Sequence, residues 1–269
     1  MLLFHSICPT DTCTAYNMTP AEFARTMLML RAAGYHTISM ADFSAFMRGA
    51  PVTLPAKPVL ITFDDARLDG WRGADATLAA LGERATMFTA TGWIESGDTR
   101  FLHWDELARM QASGRWDVQE HAGQGHVTIQ TGVDAAGAAV MSPYYAWRRY
   151  DPARYPSGDH LESFAAWQTR VHDDIDQADA LLRARIPGYR PMAFSLPFGD
   201  YGQFHNNDAR IPTDLATHLT TRFGLRLVQP TALPRFNAPG AEAWRYTVRS
   251  TTTADQVYAW LAGRAAIGG

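Results

Sequence analysis

Pro58-Val59-Leu60-Ile61-Thr62-Phe63-Asp64-Asp65-Ala66 runs from a strongly apolar segment straight into two adjacent carboxylates. A short apolar run rich in β-branched and aromatic residues reads as a buried strand. The same short-strand signal recurs on both sides, always separated by stretches of helical period. Upstream, Leu2–Phe4 is a strand, and Thr19-Pro20-Ala21-Glu22 opens a helix that runs to Gly34. There Thr19 can cap, Pro20 suits the first helical position and Glu22 completes a capping box. Residues 36–40 are strand-like. Downstream come a helix over 74–81, a strand over 86–90, a helix over 104–111 that stops at Ser113-Gly114, and a strand over 116–120. Phe164, Trp167, Val171, Ile175, Ala178 and Leu182 mark one face of a long helix. Strands over 193–196 and 225–228 flank a helix over 214–223, and residues 253–261 close the chain as a helix. About seven strands alternating with helices make an α/β protein whose natural closure is a (β/α) barrel. A length of 269 residues suits one such barrel, so residues 1–269 are read as a single domain.

With 46% hydrophobic residues, 19% charged residues and a formal net charge of −3, the chain can fill a core and carries no positive excess. That balance argues against nucleic acid as a partner. No apolar run approaches the roughly 20 residues of a membrane helix, and Met1-Leu2-Leu3-Phe4 meets His5 too early for a signal-peptide core. Neither a transmembrane segment nor a signal peptide is therefore read here. Cys8 and Cys13 bracket a polar stretch that suits a small disulfide loop and two free thiols equally. Oligomeric state leaves no trace in the sequence. Residues 122–161 break the rhythm as a long insertion containing Pro143-Tyr144-Tyr145-Ala146-Trp147-Arg148-Arg149-Tyr150. Two readings stand: an ordered lid or substrate wall, since aromatic faces stack on sugar rings, or a loop packed onto the barrel by its own aromatics.

Adjacent side chains at a strand end point to different sides, so Asp64 and Asp65 can take different tasks, one at a metal and one at a proton. Alone, the pair reads as a turn or a helix cap. Partners occur in Gln119-Glu120-His121-Ala122-Gly123-Gln124-Gly125-His126. A separation of five cannot place both imidazoles on one side of a strand, so a shared ion requires His121 at the strand end and His126 on a loop that curls back through Gly123 and Gly125. One oxygen ligand, two histidines and an open position make the composition of a hydrolytic zinc site.

Thr62-Phe63-Asp64-Asp65-Ala66 resembles the TFDDG motif of the NodB-type polysaccharide deacetylases, carbohydrate esterase family 4. The segment from His121 to His126 resembles their metal-binding motif, with Trp104-Asp105-Glu106-Leu107 and Ser113-Gly114 leading into it, and Ser195-Leu196-Pro197-Phe198-Gly199-Asp200-Tyr201-Gly202 resembles the third motif. Most of that family spaces the histidines by four, with Ser or Thr after the first. Here the spacing is five and Ala122 follows, as in the poly-β-1,6-N-acetylglucosamine deacetylase branch, whose motif order is permuted so that a leading histidine replaces the late one. His5 in Leu3-Phe4-His5-Ser6 fills that place, because His218, the last histidine, lies inside a predicted helix. The segments Thr19-Pro20-Ala21-Glu22-Phe23 and Leu30-Arg31-Ala32-Ala33-Gly34-Tyr35 also resemble that branch. Ala66 departs from the family glycine.

The resemblance implies a distorted (β/α)7 barrel and a metal-dependent hydrolysis of N-acetyl groups. Asp65, His121 and His126 would hold a divalent ion, expected to be zinc. Asp64 would act as general base and His5 as the acid that protonates the amine. The Phe198 N–H would face the oxyanion, and Pro197 to Gly199 would shape the pocket beside the acetyl methyl. Arg190 and Arg235 are candidates for orienting Asp64. The substrate implied is a poly-β-1,6-N-acetylglucosamine-like glycan. The alternatives are a chitin-like glycan or a small amide at the same site, and a glycan-binding protein with a vestigial site. The cell envelope or exterior is the expected location, and His5 so near the start suits a domain trimmed from a longer protein. His36, His103, His160, His172, His205 and His218 are read as structural or solvent-facing, and Trp71, Trp93, Trp104, Trp167 and Trp260 as core.

Overall fold

The computed structural model describes residues 1–8, 17–229 and 237–263. At its centre lie eight hydrogen-bonded segments: β1 (Leu2–Phe4), β2 (Ile61–Phe63), β3 (Ala85–Ala90), β4 (Trp116–Ala122), β5 (Phe194–Ser195), β6 (Arg226–Val228), β7 (Glu242–Trp244) and β8 (Tyr246–Thr247). They lie in the order β7-β6-β5-β4-β3-β2-β1-β8, and every pairing is parallel. Only Arg245 separates β7 from β8, so one kinked stretch pairs with β6 at its start and with β1 at its end. The Arg245 N–H donates to Val228 O at 3.1 Å and the Tyr246 N–H to Met1 O at 3.0 Å, which joins the two sheet edges. The ring therefore has seven staves, the expected (β/α)7 barrel, but one stave differs from the expectation. His36–Thr37 pairs with Pro58–Val59 outside the ring, and the closing stretch from Glu242 to Thr247 takes its place.

The helices are α1 (Pro20–Ala32), α2 (Met40–Met47), α3 (Leu68–Leu81), α4 (Thr91–Glu95), α5 (Trp104–Ala112), α6 (Phe164–Arg185), α7 (Ile211–Phe223) and α8 (Ala254–Leu261). The strand expected over 36–40 is present only at His36–Thr37 and gives way to α2, because Ser39 and Asp42 form a reciprocal capping box at the start of that helix. At α1, Thr19 accepts the Glu22 N–H at 3.2 Å as expected. The Glu22 carboxylate does not complete that box; it accepts the Ala254 N–H at 3.0 Å and caps the start of α8.

Strand alternation sorts the barrel into layers. Leu60, Phe88, Ala193, Leu227 and Ala243 form an apolar floor inside it, closed from below by Met40, Phe43 and Met47 of α2. One step of two residues further along the strands, the interior positions are Thr62, His121, Ser195 and Arg245, all buried. On the outside, Phe63 stacks on Phe4 at 5.4 Å and meets Trp116 at 5.2 Å in the core beneath α1, α3 and α5. Trp167, Val171 and Ile175 of α6 pack with Leu215 and Leu219 of α7 and with Phe194 of β5. The long insertion contains an antiparallel hairpin of Thr128–Val133 and Ala139–Pro143. Beyond it Tyr145 is fully buried and its carbonyl accepts the Trp167 indole N–H at 3.0 Å, so the aromatic segment is packed on the barrel by its own rings. No helix among the described residues is long and apolar enough to cross a membrane. Cys8 is buried; Cys13, and Arg235 among the arginine candidates, lie outside the described residues.

Candidate active site

Asp64 follows β2 on the interior side and reaches into the polar layer. Its carboxylate accepts the Arg245 guanidinium through both oxygens, at 2.6 and 2.8 Å, and the Ser195 hydroxyl at 3.0 Å. Arg245 also donates to Ser195 Oγ at 2.6 Å, and its guanidinium lies 5.5 Å from the centre of the Phe88 ring. Arg245 and Asp64 are each only 1% exposed. Burial pushes the Asp64 carboxyl up, but the Arg245 guanidinium and the His121 imidazole prevail and hold it well below the usual carboxylate range. An arginine outside the expected candidates, Arg245, thus orients Asp64; Arg235 lies outside the described residues. Arg190 is exposed and offers only its carbonyl, to the Gln119 amide.

The chain then turns through Asp65 (φ 77°) and Ala66 (φ 54°), both in the left-handed region. Ala66 keeps, at a buried position, the backbone that a glycine adopts without strain. Asp65 Oδ1 lies 3.4 Å from His121 Nε2 and 3.5 Å from His126 Nε2. The ligand atoms of these three residues all lie within 4.8 Å of one another, and theirs is the only such cluster among the described residues. His121 donates through Nδ1–H to the Ser195 carbonyl at 2.7 Å, which in the neutral ring leaves the Nε2 lone pair toward Asp65. Asp65 Oδ1 is buried and has no hydrogen-bond partner. A buried orphan oxygen beside two imidazole nitrogens, one fixed in its tautomer from behind, suits a divalent cation. The residues present fit the metal that the motif implies.

His5 follows β1 on the same rim. Helix α3 packs so closely against it that a Cβ on Gly70 would lie 2.5 Å from His5 O. Burial lowers the His5 pKa, against the pull of Asp65 and Asp64 in the same cluster. Burial and His121 together bring the His126 pKa down to about 4, leaving a neutral imidazole at neutral pH. Pro197–Gly199 forms a short 3₁₀ turn after β5, with Phe198 at φ 59°. Pro197 and Gly199 are buried, whereas the Phe198 ring is 46% exposed and sits 4.9 Å from His126. Trp93, read from the sequence as core, packs against the core and also lies 4.6 Å from His126, stacked on Phe101 at 4.7 Å. Asp64, Asp65, His5, His121, His126 and Pro197–Gly199 thus stand on the strand-end side of the barrel, joined by Arg245, Ser195 Oγ and Trp93. His172 and His218 stack on each other at 3.8 Å between α6 and α7, bonded to Asp214 and Asp176, in a role apart from this cluster.

The family model for polysaccharide deacetylases matches residues 52–211, more than half of the chain. The chain belongs to the polysaccharide deacetylase family. The matched region of this deacetylase runs from before β2 to the start of α7, and so takes in both metal-ligand motifs and the 3₁₀ turn. No curated protein sequence matches it. Its fold is shared with a de-N-acetylase from Aggregatibacter actinomycetemcomitans at a TM-score of 0.77 and 17% identity, covering 96% of this chain and 98% of that one. IcaB from Ammonifex degensii superposes at 0.69 with 22% identity over 98% of this chain and 96% of the other. The BpsB deacetylase domain from Bordetella bronchiseptica does so at 0.69 with 19% identity, covering 91% and 93%. Likeness over nearly the whole length shows that the barrel of this deacetylase is the NodB-type one.

Proposed function

We propose that this deacetylase hydrolyses N-acetyl groups of a poly-β-1,6-N-acetylglucosamine-like polysaccharide, releasing acetate in a metal-dependent reaction at the cell envelope or outside the cell. The observation that carries this reading is the convergence of Asp65, His121 and His126 beside an Asp64 held ionised by Arg245. Support for the substrate comes from the five-residue histidine spacing and the leading His5, and from fold relatives described as a de-N-acetylase and as IcaB.

Asp65, His121 and His126 would hold the ion, with zinc expected from one carboxylate and two imidazoles. A divalent ion there supplies Lewis acidity toward the acetamide carbonyl and acidifies water. Asp64 takes the proton of the attacking water; Arg245 and Ser195 keep its carboxylate charged and fixed in direction. The Phe198 N–H, turned by its left-handed backbone, donates to the acyl oxygen as that oxygen gains negative charge. Pro197 and Gly199 wall the space for the acetyl methyl, and the exposed Phe198 ring offers a face to a sugar. His5 gives a proton to the departing amine, leaving a free glucosamine nitrogen and acetate.

Acetate release from β-1,6- and β-1,4-linked N-acetylglucosamine oligomers, with zinc present, tests the reading. The parent protein should release acetate faster from the β-1,6 series. Asp64→Asn should lose at least about 100-fold, the low end for a positioned general base. No release from either series by the metal-loaded parent would overturn the assignment, and faster release from the β-1,4 series would overturn the linkage.

A further inference from the structure

The two histidines of the metal cluster are held in different ways. His121 belongs to β4 and is fixed by its bond to Ser195 O. His126 stands beyond a loop that must reverse direction within Ala122-Gly123-Gln124-Gly125 and return an imidazole to within 3.5 Å of Asp65. The amides of that loop converge on a single carboxylate from α6, outside the barrel wall. Asp174 on α6 accepts the N–H groups of Gly123 at 3.1 Å, Gln124 at 2.6 Å and Gly125 at 3.1 Å. It also accepts the Tyr145 hydroxyl at 2.5 Å.

Three successive amides aimed at one point form a concave anion seat, a backbone shape that an anion stabilises. The loop is built around that seat. A Cβ on Gly123 would lie 2.7 Å from the Asp174 carboxylate, and one on Gly125 would lie 2.5 Å from the Tyr145 ring. From the opposite side, α4 holds the loop carbonyls: the Gly92 N–H donates to Gly123 O at 3.0 Å and the Thr91 hydroxyl to Ala122 O at 3.4 Å. Asp174 follows Trp167 by seven residues, two helical turns, so both meet Tyr145 along one line of α6.

We propose that Asp174, braced by Tyr145, is the positioning residue of the metal centre: its carboxylate folds the 123–125 loop and thereby delivers His126 to Asp65 and His121. The proposal rests on the metal reading above and adds to it the element that sets affinity. Without the carboxylate, three amides lose their acceptor and His126 loses its tether, while Asp65 and His121 stay in place. A three-ligand site becomes a two-ligand site.

The test is a chelator-competition titration of Co²⁺ and Zn²⁺ into the metal-free parent, Asp174→Ala, Asp174→Asn, Tyr145→Phe and His126→Ala. Hydrogen exchange at residues 123–125 is followed in parallel without metal. Asp174→Ala should weaken binding by about 10- to 100-fold, the range for losing an outer partner of a metal ligand, and approach His126→Ala. The absorption band of bound Co²⁺ should lose intensity. Tyr145→Phe, which leaves the amides their acceptor, should cost less than Asp174→Ala. Amides 123–125 should exchange faster in Asp174→Ala, with β4 unchanged. If Asp174→Ala does not fold, Asp174→Asn, which keeps one acceptor oxygen, should show the same losses in weaker form. A folded Asp174 variant with parental affinity and parental exchange would overturn the proposal. A parent that binds neither ion would overturn the metal reading itself, and the exchange arm alone would then decide whether Asp174 holds the loop.

Discussion

An arginine and an aspartate that are both almost fully buried exchange a large desolvation cost for their mutual attraction, and removing one member leaves the other uncompensated. Arg245 and Asp64 stand in that position, and the Arg245 Nε has no partner, so the pair is not fully satisfied. Arg245→Ala should therefore cost roughly 3–5 kcal/mol in urea unfolding, the range for breaking a buried pair. Adding Asp64→Asn should return part of that loss, since the orphaned charge goes with it. A double variant less stable than Arg245→Ala alone would refute this account of the pair. The carboxylate and both histidines were legible in the sequence because each follows a strand signal and stands within a few residues of its motif. Arg245 was not, because its partner is 181 residues away and nothing beside it marks it as functional. Trp93 does pack against the core, but its contact with His126 was not legible for a related reason: an aromatic in a helical pattern looks the same whether or not an imidazole lies beside it.

Elements are placed by a few polar staples as well as by apolar faces. Asp75 on α3 accepts Arg115 at 2.9 and 3.0 Å and the Trp116 indole N–H at 2.7 Å, tying α3 to the start of β4. Burial pushes its carboxyl up, but the Arg115 and Trp116 hydrogen bonds prevail and lower its pKa. A carboxyl lowered in the folded state contributes stability above its unfolded pKa of about 3.9, and that contribution fades as pH falls through the folded value. The stability difference between the parent and Asp75→Asn should thus be full at neutral pH and shrink below about pH 4. Urea unfolding at pH 7 and pH 3 measures it; a gap that widens in acid would contradict the assignment. Long amphipathic helices such as α6 were legible from their period. The eight-residue α2 was hidden, because its start abuts the strand-like residues 36–37 and only the Ser39–Asp42 box marks the change. The closing stretch of β7 and β8 was missed because Ala243-Trp244-Arg245-Tyr246 changes neighbours at its kink, so neither half carries a full strand pattern.

The whole molecule is a barrel with an apolar floor and a charged mouth, and one kinked stave joins the two. Ala243 lies in the floor and Arg245 in the mouth, two residues apart. Ala243→Leu should overpack the floor by about 1–3 kcal/mol and, by shifting Arg245, slow acetate release more than the same loss of stability imposed by Asp75→Asn. Equal activity in the two variants would separate closure of the barrel from the site. The ring brings the first strand and the last side by side, so a side chain from either end of the chain can reach the same rim. In the proposed reaction acetate release depends on an ion held by Asp65, His121 and His126. Acetate release from β-1,6-linked oligomers, measured after stripping with chelator and during return of Zn²⁺, tests it most directly. Activity should vanish on stripping and return at about one equivalent of ion, and Asp65→Ala should not recover. Undiminished release by the stripped protein would contradict the claim.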